Sequence, residues 1–374
     1  MAAEPSFSLK DQLFNPEKVA WLSGRFSAAW DGFDGARFET RVAERLGALE
    51  LKARIAWIAE VLEEVLPGDF PTAAGIVESA LPPPLDPTLR DDDFGQFIIA
   101  PLGDYVVARG MEDHRDRALD SIEAITQRFS MEYAIRHFLN RWPDETYDRL
   151  ALWAGHPHYH VRRLVSEGTR PKLPWGKGIT TDPARALPLL DRLHGDSTRF
   201  VTRSVANHLN DLTKSDPAVP LDRLAAWASA GMQQDRELAW MTSHALRGLV
   251  KAGDPRALEM LGYAPDADVD CALRVETPEV RVGEALRFAV TLSAAGPLPV
   301  LVDFIIRFRR ANGTLAPKVF KLKQAVLTPG KPLVLAKSHR LKGDATTFTL
   351  YPGAHELAVQ VNGRIRAEAA FALV

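Results

Sequence analysis

A single cysteine, Cys271, in 374 residues excludes an intramolecular disulfide and any metal site built from several cysteines. Its expected state is a buried thiol near a domain boundary. No apolar run reaches the roughly eighteen residues that a membrane-spanning helix needs. The first six residues place no basic segment ahead of an apolar stretch, so no secretory signal is expected, and a cytoplasmic location is the simplest expectation. Glycine-rich phosphate loops of Walker or Rossmann form are missing, as is the Gly-x-Ser-x-Gly nucleophile turn. His156, His158 and His160 stand close together, but no carboxylate or further histidine at helical spacing completes a ligand set. They read as structural. The tryptophans all lie before residue 241, so a C-terminal β-domain must build its core without one.

Charge of either sign is scarce only on balance. Residues 271–374 hold 15 Lys and Arg against 7 Asp and Glu, while the chain before them holds 31 against 41. A basic C-terminal module suits contact with nucleic acid, because phosphate attraction is largely independent of sequence. The alternative is a solvated surface whose charges serve solubility. In the acidic first part, any contact with DNA has to use a local stripe.

What is present in that first part is helical periodicity. Ala118, Ile122, Ile125 and Phe129 recur on one helical face. Asp182-Pro183, Asp216-Pro217 and Asp254-Pro255 mark helix starts, since aspartate caps free amides and proline fits the first helical position. Residues 161–167 align with 201–207: Val161, Arg163 and Val165 return as Val201, Arg203 and Val205. This spacing predicts a mainly α, HEAT-like superhelical repeat domain over residues 1–268, with a long concave face. The proline-rich residues 81–87 read as a loop.

Past residue 268 the period drops to two. Leu286, Phe288, Val290 and Leu292 alternate with polar or small residues, and Val300 to Phe308 and Leu357 to Val361 do the same. Asn312-Gly313 and Asn362-Gly363 supply hairpin turns. About seven strands over 269–374 predict an immunoglobulin-like β-sandwich.

Three blocks carry chemistry. In residues 126–136, Glu132 follows Ser130 at the start of a helix; the plain alternative is a carboxylate placed there by the helix dipole. In residues 160–175, Gly168 reads as a helix-ending glycine, which puts Glu167 in a last turn where an acid is disfavoured. Such a local conflict suits a functional site; the alternative is a simple pair with Arg163 or Arg170. Trp175 follows Pro174 in a loop stiffened by Pro171, where an indole can stack on a base or attract a cation. Its alternative is an aromatic plug in the repeat core. In residues 203–214, Arg203, Asn207, His208 and Lys214 line one rim of the concave face and can hold phosphates, although His208 alone reads as structural.

These blocks, at 126–135, 160–175 and 204–214, resemble the AlkC branch of the AlkC/AlkD alkylpurine DNA glycosylases, and the likeness extends over residues 5–265. Part of that branch also carries an immunoglobulin-like C-terminal domain. The resemblance implies excision of cationic N-alkylated bases, 3-methyladenine above all, from double-stranded DNA, with no cofactor or metal. It implies that the lesion stays largely within the duplex rather than being fully flipped out. Glu132 and Glu167 fall where the branch places its active-site carboxylates, Trp175 where it places an aromatic wall, and Arg163 where a basic side chain enters or braces the opened duplex. Arg162, Arg170 and Lys172 join Arg203, Asn207, His208 and Lys214 as the expected DNA contacts. The catalytic aspartate motif of the AlkD branch is not recognisable. Neither a membrane nor a protein partner is implied. The readings from other classes are a non-catalytic HEAT-repeat scaffold and a damaged-DNA binding protein without turnover.

Overall fold

The computed structural model describes residues 8–89, 91, 94–343 and 348–374. Residues 1–6, in which no secretory signal is expected, lie outside that description. Helices come first: α1 (Leu9–Leu13), α2 (Pro16–Ala29), α3 (Gly35–Leu46), α4 (Leu51–Val65), α5 (Phe70–Ala80), α6 (Ala100–Gly110), α7 (Arg115–Thr126) and α8 (Ile135–Arg141). They continue with α9 (Pro143–Trp153), α10 (Tyr159–Gly168), α11 (Leu187–Leu193), α12 (Arg199–Leu212), α13 (Ala218–Ala230), α14 (Asp235–Ala245), α15 (Arg247–Ala252) and α16 (Pro255–Met260). No helix among the described residues is long and apolar enough to cross a membrane.

The Asp-Pro pairs act as expected. Asp182 and Asp254 accept hydrogen bonds from Ala184 N and Ala257 N, and Asp216 accepts from Ala218 N. The internal repeat is visible in the packing: Val161, Val165, Val201 and Val205 are all fully buried, and α10 packs against α7 on one side and α12 on the other. Each helical hairpin thus buries its apolar stripe only against its neighbours, the HEAT-like arrangement. Gly168, the last residue of α10, ends the helix as expected, without the left-handed turn that such a glycine often makes. A Cβ there would meet Ile135 Cγ2 at 2.5 Å, so the glycine is needed for close approach of α8.

Strands follow from Asp270: β1 (Asp270–Val275), β2 (Glu279–Val280), β3 (Ala285–Ser293), β4 (Leu298–Arg309), β5 (Leu315–Leu327), β6 (Leu333–Arg340), β7 (Gly353–Val361) and β8 (Arg364–Leu373). They form one sheet in the order β1-β3-β6 and a second in the order β2-β8-β7-β4-β5. The described strands exceed the expected seven by one, the two-residue β2, which pairs parallel to β8. Phe288 on β3 meets Phe304 on β4 edge-on at 5.3 Å, so phenylalanines fill the space between the sheets where no tryptophan is available. Of the two Asn-Gly turns, only 362–363 has both residues at positive φ, the demand of a two-residue type I′ hairpin; at 312–313 the glycine alone is left-handed. Cys271, expected to be buried, is partly buried on β1, packed against the core of the sandwich.

Two compact units result, residues 1–215 with 223–244, and residues 216–222 with 245–374. The second unit therefore gathers more of the chain than its strands alone.

Candidate functional site

The three blocks are joined by hydrogen bonds among the turn ahead of α8, the end of α10 with the loop after it, and α12. Glu132 lies in the turn after α7 and just before α8, Glu167 in the last turn of α10, and Asp211 at the end of α12. The C-termini that hold Glu167 and Asp211 carry partial negative charge, which raises the local demand for cations, whereas Glu132 lies on the N-terminal side of α8, where a carboxylate is favoured.

Arginine meets that demand. Arg163, one turn before Glu167 on α10, donates from Nη1 to Glu132 Oε2 at 2.7 Å and to Ser130 Oγ at 3.1 Å. Its Nη2 lies 3.7 Å from Glu167 Oε1. The guanidinium rests 4.5 Å above the Phe200 ring. Arg170 donates from Nη1 to Glu167 Oε1 at 2.6 Å and from Nε to Asp211 Oδ2 at 2.9 Å. Ser204 Oγ donates to the other Glu167 oxygen at 2.6 Å. Burial pushes the Glu167 carboxyl up, but the guanidiniums of Arg163 and Arg170 and the Ser204 hydroxyl more than offset this, and its net shift is below the ordinary value. Glu167 is held ionised. Both alternatives weighed for its sequence position, pairing with Arg163 and with Arg170, are realised together.

Trp175 stands apart from the buried network. Its side chain is 74% exposed, which removes the reading of a core plug. Its φ of 61° is one of two left-handed values among the described non-glycine residues. Such a conformation costs about 1–2 kcal/mol and persists only where the surroundings impose it. Here they do. Lys52 donates to the Trp175 carbonyl, Arg136 donates to the carbonyls of Lys177, Gly168 and Arg170, and Asn140 Nδ2 donates to Gly178 O at 2.8 Å. Arg136 is itself fully buried.

The expected phosphate contacts divide. Lys172 and Lys214 are exposed, Lys214 also pairing with Asp211 at 3.2 Å. Arg203 pairs with Asp91, and Asn207 Oδ1 faces His244 Nε2 at 2.9 Å. Arg162 is tied to the nearly buried Asp196 and to the carbonyls of His156 and Pro157. His208 is a correction. It is fully buried, its Nδ1 3.1 Å from Ser166 O, so it lies in the interior rather than on a phosphate-facing rim. Burial pushes its pKa down to about 4, so the ring is neutral. The upstream histidines are engaged within the fold: His156 Nε2 lies 3.3 Å from Glu123, and His158 Nε2 lies 3.0 Å from Leu85 O.

Sequence reasoning singled out neither Ser204, Asp211 nor Arg136 for a role, although all three lie in or beside the quoted blocks. Lys52 carried no signal at all, being 123 residues from its acceptor.

A family model described as "Uncharacterised protein YhaZ, C-terminal Ig-like domain" matches residues 270–374. The uncharacterized protein YhaZ of Bacillus subtilis (strain 168) is 30% identical over 360 residues, covering 95% of this chain and 96% of that protein. The solved structure of the Pseudomonas fluorescens alkylpurine DNA glycosylase AlkC, bound to DNA containing an abasic site analog, superposes with a TM-score of 0.87 at 32% identity. That alignment takes in 98% of this chain and 100% of that one.

Proposed function

Because this chain belongs to the AlkC branch of the AlkC/AlkD alkylpurine DNA glycosylases, we propose that it is a DNA glycosylase that releases cationic N-alkylated bases such as 3-methyladenine from duplex DNA. The observation that carries the reading is the pair Glu132 and Glu167, brought together by one arginine.

The chemistry suits such a pair. An alkylated adenine already bears a formal positive charge. When the bond between its nitrogen and C1′ breaks, the electron pair goes to the base, which leaves neutral and needs no general acid. Positive charge then develops on the deoxyribose, as in other glycosidic cleavages. Two carboxylates in a partly dried site stabilise that cation. Water adds at C1′ and gives its proton to a carboxylate. Both contacts to Glu132 fall on Oε2, so Oε1 carries neither and is the better-placed acceptor for that proton. The Trp175 indole prefers a cationic base or sugar over neutral DNA. Since leaving-group lability and electrostatics supply the selectivity, full extrusion of the base is not required, and neither is a metal or cofactor.

In this reading residues 1–268 form the glycosylase domain, residues 269–374 grip flanking DNA through their positive charge, and the protein works in the cytoplasm at the nucleoid. Incubating methylated duplex with the protein tests it. Free 3-methyladenine and alkali-labile abasic sites are expected; retention without release points to a damaged-DNA binder, and neither outcome to a scaffold.

A further inference from the structure

Glu167 has no oxygen to spare. Oε1 accepts from Arg170 and Oε2 from Ser204, each at 2.6 Å. Arg170 in turn is gripped by Asp211 through Nε and Nη2, both at 2.9 Å from Oδ2, and its backbone carbonyl accepts from Arg136 at 2.8 Å. Ser204, Asp211, Arg170 and Glu167 are all buried, at 2%, 6%, 9% and 5% exposure. A surface ion pair leaves its partners mobile and contributes little. This chain of contacts is different, because a buried charge left without its partner is strongly destabilising, so every member constrains the next.

We propose that Ser204 and Asp211 are positioning residues for Glu167, Ser204 directly and Asp211 through Arg170, and that they fix it as a permanently ionised support for sugar charge while Glu132 handles the water. The assignment deepens the glycosylase reading and rests on it. It also separates two carboxylates of the same residue type. Glu132 keeps an oxygen outside its arginine and serine contacts; Glu167 spends both. A carboxylate with both oxygens engaged by donors is a poor base but a good fixed charge. Arg170, expected among the DNA contacts, donates to Glu167 Oε1.

The charged and titratable groups around Glu167 come from four elements. Arg163 shares its helix, Arg170 lies in the loop that follows, and Asp211 and His208 project from α12. Glu132 and Tyr133 precede α8, and Arg136 lies on α8. His208, neutral throughout the working range, adds no charge. Ser204 and the Asp211–Arg170 pair are thus the contacts whose removal changes Glu167 without unseating the Arg163 clamp.

The test follows the Glu167 carboxyl by NMR in the full-length protein with 13C-labelled glutamate, the signal assigned with E167Q. In S204A and in D211N its midpoint is expected to rise by about one pH unit. Single-turnover excision of 3-methyladenine is expected to fall about tenfold at neutral pH, with its acid limb displaced upward and DNA affinity retained; S204T restores both. An unmoved Glu167 midpoint in S204A overturns the proposal, as does a rate loss whose pH profile keeps the wild-type shape. If D211N fails to fold, S204A and S204T still decide. If wild-type protein releases no base, the glycosylase reading fails, and the titration still shows whether Ser204 and Asp211 set Glu167.

Discussion

Arg163 Nη1 lies 2.7 Å from Glu132 Oε2, and the same guanidinium reaches to 3.7 Å from Glu167 Oε1. The three side chains are 13%, 16% and 7% exposed, so this is a nearly dry bridge. Two acids kept close together repel, and the cation between them offsets that repulsion. Arg163→Ala is therefore expected to lower unfolding stability by about 3–5 kcal/mol, the cost of leaving a buried charge unpaired. Arg163→Lys is expected to recover only part of this, since a point charge cannot reach both acids as a planar fork does. Urea unfolding midpoints decide it: an alanine variant as stable as wild type would remove Arg163 as the electrostatic link.

The carboxylates themselves are tested by Glu132→Gln and Glu167→Gln. Each is expected to cut single-turnover excision of 3-methyladenine at least tenfold, a loss of about 1.4 kcal/mol or more of transition-state stabilisation. Circular dichroism and thermal midpoint establish that each variant is folded. Rates near wild type in both variants would take the pair out of the mechanism.

Trp175 offers a separation of function from stability. With its side chain 74% exposed and its φ at 61°, replacing it by glycine removes little packing and relieves a left-handed strain. Trp175→Gly is expected to hold or raise stability by up to about 1 kcal/mol while excision falls. Trp175→Phe is expected to keep part of the activity, because a smaller π face still attracts a cation. A glycine variant with undiminished excision would leave the indole without a role.

Most of the architecture was legible because periodicity is a local property of the chain. The 40-residue echo of 161–167 in 201–207 marks two helices that bury equivalent valines, and the alternation from Leu286 onward marks β3 and its neighbours. Glu132, Glu167 and Trp175 drew notice in the sequence as positions out of keeping with their surroundings or matched to a family, and the site built on them is a proposal. The network between them was not legible. Ser204 looks like any small helical residue until α12 is packed on α10, and Lys52 acquires its bond to the Trp175 carbonyl only through the tertiary fold. His208 was misplaced because helical spacing gives a face without saying how deeply the next helix covers it. Gly168 was read correctly as a helix stop, but the second reason for its smallness, the approach of Ile135, is visible only in the packing.

His208 also predicts a pH dependence of stability. Burial pushes its pKa down from 6.5 to about 4, so in the folded protein it resists a proton that the unfolded chain accepts. Its contribution is thus complete above the unfolded value of 6.5 and is lost progressively as pH falls toward about 4. His208→Gln, which keeps a donor for the Ser166 carbonyl but cannot titrate there, is expected to show a smaller drop in urea midpoint between pH 7 and pH 5 than wild type. Equal drops in the two proteins would show that His208 is not part of the acid sensitivity.

The positive charge of the second unit is predicted to act on DNA through β5, where Lys321 and Lys323 are both exposed. Each phosphate neutralised by a lysine releases condensed counterions, so the logarithm of affinity falls with the logarithm of salt by about 0.9 per contact. If both lysines touch phosphates, Lys321→Gln with Lys323→Gln should make that slope shallower by about 1.8, with weaker binding at low salt and little difference at high salt. The effect should be the same for damaged and undamaged duplexes, because phosphate contacts carry no information about the base. Excision measured at saturating protein should be unchanged, since these lysines lie in the strand unit and Glu132 and Glu167 in the helical one. A double variant with the wild-type salt slope would assign the charge of this sheet to solubility rather than to DNA.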